Sequence, residues 1–191
     1  MDKPLADKVI AVLVASGFEE AHFTSLQLRL TQLGARFSIV SNGQGLVNGW
    51  NGNGWGLYFP IDKSLSEAMA ADYDAVIVPG GERSVGKLSE TAHTKRVLKH
   101  FIEAGKPTVI MGDAAALLAT MPVIEGRTVA CPDGLRDKLA GIGAVHAEAA
   151  LATDGALMSC VDPSAEEGFV DHCITLLMTA ATEDDETQAA A

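Results

Sequence analysis

Short apolar runs alternate along this chain with segments whose apolar residues recur at helical spacing. Residues 8–15, 36–41, 73–78 and 107–111 are dominated by Val, Ile, Ala and Leu. They read as strands, and the longest, 8–15, as one buried on both faces, since it lacks the alternation of a strand with one wet face. Between them, Phe23, Leu26, Leu28, Leu30 and Leu33 mark a helix over 20–33, stopped by Gly34. Further helices are predicted over 89–104, 114–120, 135–139 and 165–180. Short strands are predicted over 128–130, 147–153 and 156–161, the last two joined by the hairpin signal Asp154-Gly155. Strands separated by helices pair in parallel, because the chain must cross over the sheet between them. The predicted class is therefore α/β, a doubly wound, mainly parallel sheet with helices on both faces.

A chain of 191 residues suits one domain, placed over 1–181, and the polar run 182–191 reads as an acidic, disordered tail. Fourteen basic against twenty-five acidic residues give a formal charge of -11, which a nucleic-acid backbone would repel. No apolar stretch approaches the roughly 20 residues needed to span a bilayer, and no leader-like run opens the sequence. A cytoplasmic protein with no nucleic-acid or membrane partner is expected. Cys131, Cys160 and Cys173 are odd in number and widely spaced, which fits reduced thiols. His93, His100, His146 and His172 show no metal-ligand spacing, and neither a metal nor a cofactor is expected.

Residues 42–58 stand apart: both tryptophans, Trp50 and Trp55, lie there among four Asn-Gly pairs. Asn-Gly supplies the positive φ of tight hairpin turns, so a β-hairpin excursion is predicted. The alternative is a loop that presents an indole to a ligand or a neighbouring subunit.

Three motifs carry the functional reading. Gly17-Phe18-Glu19-Glu20-Ala21-His22 follows the first strand, Val78-Pro79-Gly80-Gly81 ends the third long strand, and Gly105-Lys106-Pro107 leads through a strand to Gly112-Asp113-Ala114-Ala115-Ala116-Leu117-Leu118. All fall at the carboxyl ends of predicted strands, or run into one, and such ends are where open parallel sheets bind ligands. In this order and spacing the chain resembles the ThiJ/PfpI superfamily, of glutamine-amidotransferase-like and flavodoxin-like fold, over roughly residues 8–180. The section around residues 78–99 also resembles the C-terminal domain of large catalases.

The resemblance implies a pocket formed by Glu19, His22, Gly80, Gly81, Gly112 and Asp113, and a homo-oligomer, dimer or larger. It also implies a cysteine on a strained elbow after the fourth strand, a carboxylate from the first motif beside it, and amides near Pro-Gly-Gly serving an oxyanion. Aligned from Pro107, however, the nucleophile position holds Gly112, the next holds Asp113, and the final glutamate of the first motif is His22. Asp113 is expected to cap the helix it precedes, through the amides of Ala115 and Ala116. A His22–Asp113 dyad with a raised histidine pKa is the sharper alternative. Cys131 is a rim candidate or a small buried hydrophobe, with no histidine near it in sequence, and Glu82-Arg83 reads as a polar rim or a subunit contact. The leading expectation is a pseudoenzyme without thiol chemistry, with a ligand-binding, stress-related or assembly role. The competing expectation is a hydrolase, glyoxalase or deglycase-like site rebuilt on His22, Asp113 and Cys131.

Overall fold

The computed structural model describes residues 3–189, with side chains as far as residue 180. In chain order the elements are β1 (Val9–Leu13), β2 (Phe18–Glu19), α1 (Glu20–Gln32), β3 (Arg36–Ser41), β4 (Leu46–Trp50), β5 (Trp55–Pro60) and β6 (Lys63–Ser64). There follow β7 (Ala75–Val78), α2 (Glu82–Ser89), α3 (Ala92–Glu103), β8 (Thr108–Met111), β9 (Thr128–Val129) and α4 (Arg136–Ala140). The last are β10 (Val145–His146), β11 (Leu151–Asp154), β12 (Leu157–Cys160) and α5 (Phe169–Ala189).

The main sheet runs β11-β12-β8-β7-β1-β3-β6, parallel throughout except for the β11–β12 hairpin. From β1 the chain first moves outward to β3 and β6, then returns across β1 to β7, β8 and β12. The order reverses beside β1, and the carboxyl ends of β1 and β7 flank the crevice this leaves.

Period-two alternation decides which side chains meet which helices. Ala11, Leu13, Val76, Val78 and Ile110 pack with Val85 and Leu88 of α2 and with Val97, Leu98, Phe101 and Ile102 of α3. Their neighbours Ile10, Ala75, Ile77, Val109 and Met111 pack with Leu26 and Leu30 of α1 and with Phe169, Cys173 and Leu177 of α5. Both faces are covered, so the uniformly apolar strands follow directly from the layering, and Cys160 and Cys173 are core residues.

The Asn-Gly segment forms the predicted hairpin: β4 and β5 pair antiparallel, and the Asn51 side chain accepts from Asn53 N–H and Gly54 N–H at the turn. Trp50 and Trp55 meet edge to face, 5.5 Å between ring centres. Phe18, Phe23 and Phe59 pack the hairpin onto α1 and the sheet.

Four details differ from the sequence expectation. The helix predicted over 89–104 is α3, which starts at Ala92 because Thr91 accepts from His93 N–H and caps it, and a further helix, α2, precedes it over Glu82–Ser89 where none was predicted. The segment Gly112–Thr120 winds as a 3-10 helix, not an α-helix. Residues 147–150 are irregular, and only Leu151–Asp154 pairs with β12. The last helix continues to Ala189, so the backbone of the acidic tail is helical to that point, while residues 190 and 191 lie outside the described residues. Among the described residues no helix is long and apolar enough to cross a membrane.

Candidate functional site

The three motifs meet at the carboxyl ends of β1, β7 and β8, and backbone amides join them. Glu19 N–H donates to the Gly80 carbonyl at 2.8 Å. Gly80 N–H donates to His22 Nδ1 at 3.2 Å, and Gly81 N–H donates to Asp113 Oδ1 at 2.7 Å. The Gly80-Gly81 pair is thus a hub that the first motif touches from one side and the third from another. Glycine is required there by contact: a Cβ on Gly80 would lie 2.7 Å from Asp113 Oδ1, 3.0 Å from the Met111 carbonyl and 3.2 Å from His22 Cε1.

Gly112 follows β8 directly and has φ +56, the left-handed region that side chains rarely adopt. A Cβ there would nevertheless find ordinary contacts, His22 Cε1 at 3.5 Å and the Val161 carbonyl at 3.6 Å. The backbone therefore makes the sharp strand-to-helix turn of an elbow and presents no side chain on it.

Around this point opens a depression of about 470 Å³, lined by Glu19, His22, Gly81, Glu82, Asp113, Val161, Asp162 and Ser164. It brings together Glu19, His22, Gly81 and Asp113 of the expected set; Gly80 and Gly112 do not line it but adjoin His22, whose Cε1 a Cβ on either would approach to 3.2 and 3.5 Å. Sequence reasoning missed Val161, Asp162 and Ser164. They belong to the loop after β12, another strand that ends at the same edge, and that position was the available signal.

Four expectations are corrected. Asp113 does not cap its own helix: no side-chain capping bond exists there, and the carboxylate instead holds the Gly81 amide. No hydrogen bond joins His22 to Asp113; the two side chains meet the adjacent Gly80 and Gly81 amides separately. The His22 pKa is lowered, not raised, because burial outweighs the attraction of the Asp162 and Asp113 carboxylates. Gly80 and Gly81 offer no oxyanion hole in this arrangement, since both amides already have side-chain acceptors.

Burial also raises the Glu19 carboxyl above its ordinary value, and Asp113, Asp162 and Glu20 add like-charge repulsion. Because His22 Nδ1 accepts from Gly80, the neutral ring carries its proton on Nε2. Imidazole ¹⁵N shifts are expected to show this tautomer persisting below the ordinary histidine pKa of about 6.5. Below that value the unfolded chain takes up a proton that the folded site refuses, so this residue's contribution to stability falls on acidification. A ring that titrates at or above 6.5 would contradict the geometry.

Cys131 does not line the depression. It is 1% exposed, next to β9, and its Sγ lies 3.9 Å from His146 Nδ1, a histidine that parallel pairing of β9 with β10 brings alongside. Burial pushes this thiol up, only partly offset by Arg136. Cys160 is pushed up to about 11 and Cys173 further still, both by burial. Among the described residues no cluster of three or more His, Cys, Asp or Glu is arranged to hold a metal ion. Glu82 stands on the rim as expected, whereas the Arg83 guanidinium stacks on Trp50, 4.1 Å from the ring centre.

Comparison with known proteins agrees with this geometry. A deglycase of Thermococcus kodakarensis is 24% identical over 169 residues, covering 88% of this chain and 98% of its own. Protein/nucleic acid deglycase 2 of Escherichia coli is 31% identical over 121 residues, covering 63% of this chain and 68% of its own. A ThiJ/PfpI domain protein of Brachyspira murdochii superposes with a TM-score of 0.79 at 19% identity, over 90% of this chain and 96% of that one. Oxidized Toxoplasma gondii DJ-1 gives 0.72 at 19% identity, over 95% and 98%. The DJ-1/PfpI family model matches residues 8–176, a span that holds every strand of the sheet and all three motifs at the crevice, and the chain belongs to the DJ-1/PfpI family.

Proposed function

We propose that this chain is a non-enzymatic member of its family, which binds a small molecule in the strand-end depression instead of transforming one. The observation that carries the reading is Gly112: the elbow keeps its positive φ of +56 and bears no nucleophile. Two further features support it. The amides that would face an oxyanion are occupied by His22 and Asp113. The three thiols are buried and held above their ordinary pKa, so little thiolate forms near neutrality.

A second reading, favoured by the deglycase names of two relatives, gives the chain a relocated thiol site. Cys131 with His146 is the pair that could serve it, since the imidazole can accept the thiol proton.

One assay separates the two. The folded protein at pH 7 is expected to react slowly with iodoacetamide at all three thiols and to consume methylglyoxal no faster than a buffer blank. Turnover above the blank that Cys131→Ser abolishes would establish the second reading in place of the first.

A further inference from the structure

Thr94 is 3% exposed, and its Oγ1 is the one buried polar side-chain atom without a hydrogen-bond partner among the described residues. Other helical threonines find a partner locally. Thr24 in α1 and Thr175 and Thr179 in α5 each donate to the carbonyl four positions back. Thr94 cannot do so, because it stands in the first turn of α3 and Glu90, four positions back, lies before that helix. A buried hydroxyl left in this state is destabilising, and an acceptor from outside the chain would find a ready donor.

The Thr94 side chain borders a cavity of about 270 Å³ between the α2–α3 junction and the 3-10 turn that follows Gly112. Leu88, Ala92, Ala116 and Leu117 supply an apolar part of its wall, and Thr94 and Lys95 a polar one. Among the described residues no carboxylate lines it, in a chain of net charge -11, and Lys95 is in no ion pair. The first turn of α3 forms one side, and this helix of twelve residues has no acidic residue in that turn. Thr91 takes only the His93 amide there, so the Ala92 and Thr94 amides keep the partial positive charge of a helix start. Charge, donors and apolar surface thus meet at the one unpartnered hydroxyl.

We propose that this cavity binds a small aliphatic carboxylic acid as its carboxylate. One carboxylate oxygen accepts the Thr94 hydroxyl, and the other faces Lys95 and the first-turn amides. The alkyl body lies on Leu88, Ala116 and Leu117. A single lysine balances a single negative charge, whereas a phosphate group brings close to two and asks for more donors. The volume stands at the small end of ligand pockets, which suits a short branched chain. The site is separate from the strand-end depression, and it stands or falls apart from the non-enzymatic reading. The two share one element, since the 3-10 turn that carries Ala116 and Leu117 begins at Gly112.

The test titrates the full ¹⁵N-labelled chain with isovalerate at pH 7, in 150 mM NaCl so that diffuse charge effects are screened. Saturable shifts are expected at the Ala92, Thr94, Lys95, Ala116 and Leu117 amides. Isovaleramide, of the same shape without the charge, should bind about tenfold more weakly. Acetate, which lacks the alkyl body, should bind several-fold more weakly. Lys95 is exposed, so Lys95→Gln leaves the fold intact and should weaken isovalerate by about tenfold. Thr94→Val removes the hydroxyl and keeps the shape. Without ligand it should unfold at an equal or higher urea concentration, because an unpartnered polar atom has gone, yet isovalerate should weaken by about tenfold. A lower urea midpoint for Thr94→Val would mean that the hydroxyl already has a partner, and would overturn the proposal. So would isovalerate shifts that never saturate, isovaleramide binding as tightly as isovalerate, or inorganic phosphate binding more tightly than either.

Discussion

Gly112→Cys is expected to fold, to lose about 1–3 kcal/mol of stability, and to gain a thiol that does no chemistry. The loss comes from the backbone alone. At φ +56 an L side chain is strained, but its Cβ meets His22 Cε1 at 3.5 Å and the Val161 carbonyl at 3.6 Å, both ordinary contacts. Reactivity requires a thiolate, and the site disfavours one. Glu19, Glu82, Asp113 and Asp162 surround the position with negative charge. The one basic group beside it, His22, is held neutral by burial with its Nδ1 already committed to Gly80. Alkylation by iodoacetamide at pH 7 should be slower than that of a free cysteine, and methylglyoxal should still not turn over.

The triple change Gly112→Cys, His22→Glu, Asp113→His differs in a further way. It restores the nucleophile and gives it a carboxylate at position 22, and it exchanges the short acceptors now held by the Gly80 and Gly81 amides for longer side chains that can turn toward the thiol. Turnover should appear there and not in the single variant. Urea unfolding and methylglyoxal consumption measured on both proteins check this pair of outcomes. Rapid alkylation and turnover by Gly112→Cys alone would show that only the sulfur was missing.

The sheet was legible because its central strands carry apolar residues on both faces. Ala11 and Leu13 point to one helical layer and Ile10 to the other, so β1 could hardly be anything but an interior strand. Helix α2 was not legible. It is eight residues long, starts at once after Gly81 and contains Gly86, so the stretch reads as a loop. Nor was the 3-10 winding of Gly112–Thr120, since i→i+3 and i→i+4 bonding draw on the same Ala and Leu residues.

In the hairpin, the Asn-Gly pairs announced the turns but hid a second use of glycine. Glu20 Oε2 accepts from Leu57 N–H at 2.5 Å and passes directly over Gly49 and Gly56, where any side chain would collide with it. Close approach, unlike positive φ, leaves no local pattern.

The site shows the same division. Its residues were found from their places at strand ends, while their partners were not. A preceding position in sequence suggested that Asp113 would cap Ala115 and Ala116. The amide that reaches it belongs to Gly81, thirty-two positions away, and only the pairing of β7 with β8 sets those two loops side by side. Likewise His146 reaches Cys131 through the β9–β10 pairing, a contact that spacing along the chain could not disclose.

Gly81→Ala should be the most disruptive small substitution at the crevice. Gly81 has φ +116, where even a methyl group is strained, and the added Cβ would lie 2.6 Å from the Gly17 carbonyl oxygen, 2.7 Å from Glu19 N and 2.8 Å from Phe18 Cα. All three are backbone atoms of the first motif, so no rotamer change relieves the collision, and the first and second motifs must part. Strain and overpacking of this kind each cost about 1–3 kcal/mol, and together roughly 4 kcal/mol is expected. That is a large share of the 5–15 kcal/mol typical of a domain this size. The damage should also reach the chemistry of the site. Moving Gly81 weakens its bond to Asp113 and, through Gly80, the contact that fixes the His22 tautomer. Gly86→Ala is the control: it lies inside α2 with nothing within 4 Å of its Cβ, and there the same methyl should stabilise by up to about 1 kcal/mol. Urea midpoints should therefore move in opposite directions for the two variants. Equal midpoints would mean that the hub at Gly80-Gly81 is not what holds the three motifs together.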